Sequence, residues 1–229
     1  MMKNNLDTAL NVSEGIMLLI DKPKEYTSAR VVNIVKKILD VKKAGHSGTL
    51  DPKATGLLII CTGKKTKSLS ELLGSDKEYE GIMITGEKTA SFDSETEVYE
   101  KVPVNSITDE QIKSAAGKLT GEIEQMPPMH SAIKYKGKPL YKFARKGTEL
   151  ERTPRMVMIK KFDITGIKLP KVCFRVVCSK GTYIRSLVND FGKLLGVGAY
   201  LKELRRTKIG SYDIKNALTL EQFLENYKN

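Results

Sequence analysis

The sequence predicts an α+β fold built on a mixed, mostly antiparallel sheet, and three patterns predict it. Short, branched apolar runs at 16–20 and 57–61 are bounded by glycine, proline or polar residues, as strands are, and 77–85 also reads as a strand. Between them recur stretches with apolar residues at helical spacing and capping signals at their ends. Two further strand-like runs, 156–167 and 172–178, lie on either side of Lys168-Leu169-Pro170-Lys171. With 229 residues, 40% hydrophobic and 29% charged, the chain can bury a good core and has the composition of an ordinary globular protein and not of a disordered one.

Taken in order, Ile16 to Ile20 reads as a strand ended by Asp21-Lys22-Pro23. Ser28 is the expected cap of a helix whose Val31, Ile34, Val35 and Ile38 share a face, leaving Lys36, Lys37, Lys42 and Lys43 in water. Leu57 to Cys61 is a buried strand that feeds Gly63 and the cations Lys64, Lys65 and Lys67. Leu69, Leu72 and Leu73 predict a helix ending at Gly74, and 77–85 the next strand. Residues 86–107 are polar and mixed, a hairpin or crossing loop. Thr108 and Gln111 form a capping box before the stripe Ile112, Ala115, Ala116 and Leu119, closed by Gly121. Adjacent Pro127 and Pro128 deny helix to 125–134, which reads as a loop entering a strand. Ile184, Leu187, Val188 and Phe191 predict a buried helical face stopped by Gly192; Thr219 and Gln222 open a last helix.

The formal charge of +12 points to a polyanionic partner, because each phosphate neutralised by Lys or Arg releases a counterion. Seven cations between 134 and 152 (Lys134, Lys136, Lys138, Lys142, Arg145, Lys146, Arg152), interleaved with Tyr135, Tyr141 and Phe143, suit a surface that tracks a nucleic-acid backbone and stacks its bases. Met1 to Glu14 has no apolar core of signal-peptide length and nothing later approaches a membrane span, so a cytoplasmic protein is expected. Cys61, Cys173 and Cys178 lie in apolar runs without a Cys-x-x-Cys pair, as reduced core thiols do. Neither His46 nor His130 has ligand spacing around it, which argues against a metal site. Gly196-Val197-Gly198 and Gly63-Lys64 lack the further glycines of dinucleotide and P-loop fingerprints.

The most informative stretch is 44–67. Gly45 and Gly48 can take backbone angles closed to other residues and Pro52 fixes the chain just after Asp51, so a shaped loop presents one carboxylate. Taken alone, Asp51-Pro52 is also compatible with an ordinary turn. Gly45-His46-Ser47-Gly48-Thr49-Leu50-Asp51-Pro52-Lys53-Ala54-Thr55-Gly56 closely resembles the signature around the catalytic aspartate of the bacterial tRNA pseudouridine-55 synthase family. The resemblance extends over about residues 16–225, through Asp76-Lys77-x-Tyr79, Cys178-Ser179-x-Gly181-Thr182-Tyr183-Ile184-Arg185 and Ala199-Tyr200-Leu201-x-x-Leu204-Arg205-Arg206-Thr207. Thr89-Ala90-Ser91-Phe92-Asp93 follows the family's Thr-Asp-Thr-x-Asp only loosely, and Ala90 removes a carboxylate.

The resemblance implies a pseudouridine-synthase fold, no cofactor, and isomerisation of uridine 55 in the T-loop of tRNA. It implies Asp51 as nucleophile on a flipped-out uridine, Arg185 as its ionic partner, Tyr79 as stacking ring and proton acceptor, His46 as a splayed-loop contact, and Tyr183 and Leu204 as pocket walls. On residue pattern alone, Tyr79 is equally a packed strand tyrosine and Arg185 an exposed helix cation. His130 stands where the family usually has tyrosine and reads as a surface or satisfied histidine rather than a base. The expected organisation is a single catalytic domain over 1–229 with an RNA-contacting insertion at about 95–170 and no C-terminal RNA-binding domain. The expected partner is tRNA, with no membrane and no metal, and the chain is expected to act as a monomer. An RNA-folding chaperone and a guide-RNA-directed synthase are the alternative readings.

Overall fold

Strand residues with both faces apolar must be covered on both sides, and that requirement shapes the first half of the chain. A computed structural model describes residues 14–227; of the N-terminal reading, Met1 to Glu14, all but Glu14 falls outside the described residues. The chain divides into two compact units, one of residues 1–75 with 205–229, the other 76–204.

The first unit contains β1 (Met17–Lys22), α1 (Ser28–Ile38), β2 (Ala44–His46), β3 (Thr55–Thr62) and α2 (Leu69–Gly74). The second contains β4 (Lys77–Thr85), β5 (Glu87–Thr89), β6 (Val98–Lys101), α3 (Asp109–Lys118), β7 (Gly121–Gln125), β8 (Lys134–Tyr135), β9 (Lys138–Pro139), α4 (Leu140–Ala144), β10 (Arg155–Lys168), β11 (Lys171–Cys178) and α5 (Ile184–Leu194). Strand β12 (Ala199–Ile209) carries the chain back to the first unit, where β13 (Tyr212–Asp213), β14 (Leu218–Thr219) and α6 (Leu220–Tyr227) complete it.

In the first unit β3 pairs antiparallel with β1, from Met17 opposite Cys61 to Lys22 opposite Gly56, and the end of β12 joins it in parallel, Arg206 opposite Gly56. Leu58 and Ile60 face one way, packing with Leu18, Ile20, Val31, Val35, Leu220 and Phe223. Leu57, Ile59 and Cys61 face the other, against Leu72 and Ile209. Each side chain so buried stabilises the fold by about 1.5–3 kcal/mol relative to exposure. The continuous apolar run therefore reflects a strand covered on both faces.

In the second unit the strand order is β12, β4, β11, β10, β7. The pairs β4–β11, β11–β10 and β10–β7 are antiparallel. Helix α3 packs on β10 and α5, and Phe162 meets Phe174 and Phe191 with ring centroids 5.7 and 5.9 Å apart. The α+β class and the mixed, mostly antiparallel pairing are as the sequence predicts. Segment 86–107 contains the β5–β6 hairpin, and both capping boxes form.

Three helix boundaries differ from expectation. Thr27, not Ser28, caps α1, accepting from the Arg30 N–H; Ser28 is buried and bonds Leu50 instead. Gly121 does not close α3 but opens β7 at a φ of 106°. Gly192 lies inside α5, which ends at Leu194 and is followed by Gly196 at a φ of 75°. The reason for a glycine at 192 is close approach: a Cβ there would lie 2.1 Å from the Ala199 nitrogen.

Two helical glycines should consequently respond in opposite directions to alanine. Gly192→Ala should destabilise by about 3 kcal/mol, since backbone must shift to admit the methyl. In α3, Gly117 is exposed, and a methyl placed on it would meet nothing within 4 Å, so Gly117→Ala should stabilise by about 0.5–1 kcal/mol. Denaturant melts of the two variants check both signs.

Candidate functional site

Asp51 sits in a turn whose main chain is hydrogen-bonded on both sides of it. Upstream, Ser47 is fully buried and donates its N–H to Ile59 O at 3.0 Å, while its Oγ accepts from the Ile59 N–H at 3.2 Å. Leu50 donates to Ser28 Oγ at 2.9 Å, and that hydroxyl donates to Leu50 O at 3.2 Å. The Asp51 carbonyl accepts from the Ala54 N–H at 3.1 Å, closing the turn around Pro52. Pro52 O accepts from the Glu25 N–H at 2.8 Å. Gly48 takes a φ of 124°, where a side chain would be strained.

Two buried cations complete these bonds. Lys22 is fully buried, and its ammonium donates to Tyr26 O at 2.7 Å, Pro23 O at 2.9 Å and Pro52 O at 3.4 Å. Arg206, 1% exposed, donates from Nε to Leu57 O at 2.8 Å and from Nη2 to Gly48 O at 3.0 Å. Burial lowers the Lys22 pKa to about 8, against the pull of the Asp51 carboxylate, and the Arg206 charge adds to the lowering. Next to these, Arg205 forms a fork on Asp21, Nη1 to Oδ1 at 3.1 Å and Nη2 to Oδ2 at 2.6 Å.

His46 belongs to the same segment, half-buried in β2. Burial, and then the positive charge of Arg206, lower its pKa below the usual histidine value. The neutral ring accepts the Gly48 N–H at Nδ1, 3.3 Å away, which leaves the proton on Nε2. Cys61 is no candidate nucleophile, because burial raises its thiol pKa.

Tyr79, Tyr183, Arg185 and Leu204 belong to the second unit. Tyr79 is 8% exposed on β4, opposite Val176 in the register with β11. Tyr183 is the residue before α5, and its N–H donates to Gln125 Oε1 at 2.7 Å. Leu204 is half-buried in β12. Arg185 occupies the first turn of α5 and is 3% exposed, so the reading of an exposed helix cation is corrected. A cation there opposes the helix macrodipole, and the surroundings must compensate. Asp93 does so: its Oδ2 lies 3.4 Å from Arg185 Nε, while Oδ1 accepts from Ser91 Oγ at 2.6 Å and the Glu95 N–H at 2.8 Å. Arg185 also donates to Ser91 O at 3.3 Å and to His130 O at 2.9 Å.

His130 corrects its own expectation. It is half-buried rather than on the surface, and Nδ1 is buried without a hydrogen-bond partner among the described residues, while its carbonyl serves Arg185. Of the cations between 134 and 152, all but Arg152 are exposed. The Arg145 guanidinium stacks 5.4 Å from the Tyr141 ring, and Tyr135 meets Phe143 edge-on at 6.1 Å. Arg152 instead braces Pro127 O at 3.1 Å.

Sequence reasoning passed over Lys22, Arg206 and Asp93. A signal existed for Lys22, which shares the buried parity of Leu18 and Ile20 along β1. Asp93 stands in the loosely matched motif, whose conspicuous departure is the missing carboxylate at Ala90. Nothing in the pattern of β12 marks Arg206 as buried. Among the described residues no group of His, Cys, Asp and Glu is arranged to hold a metal ion, and no helix is long and apolar enough to cross a membrane.

Comparison with known proteins places the geometry in context. Residues 36–184 match the TruB family pseudouridylate synthase N-terminal domain, and residues 185–229 the tRNA pseudouridylate synthase B C-terminal domain. The chain is 50% identical over 220 residues to tRNA pseudouridine synthase B of Flavobacterium johnsoniae, covering 93% of this chain and 96% of that protein. It is 50% identical over 217 residues to the protein of that name from Chloroherpeton thalassium, covering 93% and 90%. A chain in a Cbf5–Nop10–Gar1 complex superposes with a TM-score of 0.73 at 32% identity, over 95% of this chain. This chain spans about half, 55%, of that one.

The buried ammonium yields a prediction with a definite sign. The folded pKa of Lys22, about 8, lies below the ordinary 10.5. Below pH 8 the ammonium is charged in both states and its burial penalty is complete. Between about 8 and 10.5 the unfolded chain keeps a proton that the fold has released, so stability rises with pH by on the order of 3 kcal/mol. Unfolding free energies of the protein and of Lys22→Met should therefore diverge in favour of lysine across that window; a pH-independent difference refutes it.

Proposed function

Because the chain belongs to the TruB family of pseudouridylate synthases, we propose that it converts uridine 55 in the T-loop of tRNA to pseudouridine, with Asp51 as nucleophile. The observation that carries the role of Asp51 is the turn fastened on both sides of it, by Ser28 and Arg206 before and by Glu25 and Lys22 after. A carboxylate on such a turn is held in place before substrate arrives, which is where much of an enzyme's advantage over solution lies.

The reaction is an isomerisation. The bond from C1′ of the ribose to N1 of uracil breaks, the base turns, and C1′ bonds to C5; C5 loses a proton and N1 gains one. No atom or electron is lost overall, so the chemistry calls for neither oxidant nor co-substrate. In this reading Arg185 is the ionic partner of Asp51, held by Asp93 in its own unit. Tyr79 is the ring on which the flipped base stacks and the acceptor of the C5 proton, replacing stacking worth a few kcal/mol in the RNA. Tyr183 and Leu204 wall the uracil pocket, and His46, neutral with a proton on Nε2, donates to the splayed loop.

Exposed cations and aromatic rings between 134 and 146 suit the tRNA backbone and bases, within an RNA-contacting insertion at about 95–170. A cytoplasmic monomer fits a tRNA substrate and three free cysteines. The relative from Flavobacterium johnsoniae, of which the chain spans 96%, favours a stand-alone enzyme over a guide-directed one.

Incubation with T-loop RNA tritiated at uridine C5 tests the reading, and label should pass to water without added cofactor. Asp51→Asn should slow that release by at least about 10³-fold while tRNA affinity stays within about threefold. Binding and refolding of tRNA by the wild-type protein with no release of label points to the RNA chaperone.

A further inference from the structure

We infer that Arg206 is a positioning residue for the chemical step: its guanidinium fixes the turn that carries Asp51. The inference rests on the function proposed above. Arg206 lies in the last part of β12, and its two bonded carbonyls bracket Asp51 in the chain, Gly48 O before it and Leu57 O after it. One rigid planar group therefore ties the two arms of the turn together. A lysine ammonium carries its donors on a single atom and lacks this fork, and a glutamine offers one amide nitrogen in place of three.

The neighbouring backbone is shaped to let the main chain at Arg206 come close. Gly56 pairs with Arg206 across the parallel β3–β12 contact at a φ of 106°. A Cβ at 56 would lie 2.3 Å from the Arg206 carbonyl oxygen and 2.6 Å from its nitrogen, so a glycine lets β12 come close enough. Removing a cation from water is costly. A stack of carbonyls could be satisfied by neutral donors, yet here the interior holds a charge 1% exposed. That charge also reaches both flanks of the turn, since it opposes protonation of His46 on one side and of Lys22 on the other. Arg206 thus sets both the shape and the electrostatic surroundings of the Asp51 turn from a position that offers nothing to a bound RNA. Its loss should appear in the rate at saturating tRNA and not in affinity.

The test uses the full chain and begins with tritium release by the wild-type protein; failure at that point removes the proposed function, whatever Arg206 does. With an active wild type, Arg206→Gln and Arg206→Lys are compared for melting temperature, tRNA Kd, and single-turnover rate with protein in excess, below the melting transition. Arg206→Gln should lose about 100-fold in rate with Kd within about threefold, and Arg206→Lys should recover about tenfold of that loss. A folded Arg206→Gln with wild-type rate, or one whose rate falls only in step with its affinity, overturns the inference. If glutamine prevents folding, the lysine variant decides: a reduced rate at unchanged Kd supports positioning, and a wild-type rate rejects the requirement for the fork. If neither variant folds, Arg206 serves the fold alone and the inference fails.

Discussion

Buried main-chain carbonyls need donors, and the Asp51 turn finds them in two side chains that are themselves buried cations. A carbonyl open to the surface can be left to water; one out of reach of water must find its donor within the protein. Lys22 and Arg206 answer for Pro52, Gly48 and Leu57, while Ser28 answers for both polar groups of Leu50. Each donor comes from a different element, β1, β12 and α1, so the turn is fixed by distant parts of the chain as well as by its own local bond from Ala54 to Asp51. The cost is electrostatic. Two cations share a dry region, and Lys22 shows it by holding its proton less tightly than a lysine in water.

Arg185 in the second unit follows the same logic with an anion. The first turn of a helix is the wrong end for a cation, and burial compounds the penalty. Asp93 offsets both, and its own orientation is set by Ser91 and the Glu95 N–H within one tight turn. Carbonyls of Ser91 and His130 take further donors of the guanidinium. An arginine so surrounded has few alternative rotamers.

The glycines that matter are those that let elements meet. Gly56 admits the Arg206 backbone, and Gly192 admits the turn before β12. In both cases the short side chain is a requirement of close packing, which explains why Gly192 sits within a helix although glycine disfavours that position by roughly 1 kcal/mol relative to alanine.

Local order was legible in the sequence. Apolar alternation, capping boxes and turn residues located β1, β3, β4, β10, β11 and the principal helices to within a few residues, because these depend on spacing along the chain. The shaped loop with Asp51 was legible as well, since Gly48 and Pro52 act on the backbone where they stand. What only the tertiary structure decided was which charges enter the interior. Thr27 and Ser28 are both competent caps, and the choice between them turned on Leu50, 22 residues away from Ser28. Lys22, Arg206 and the Asp93–Arg185 pair are ordinary polar residues in a linear reading, because the cost of burying a charge and the partners that offset it depend on distance through space, across 94 residues for Ser91 and Arg185 and 158 for Gly48 and Arg206.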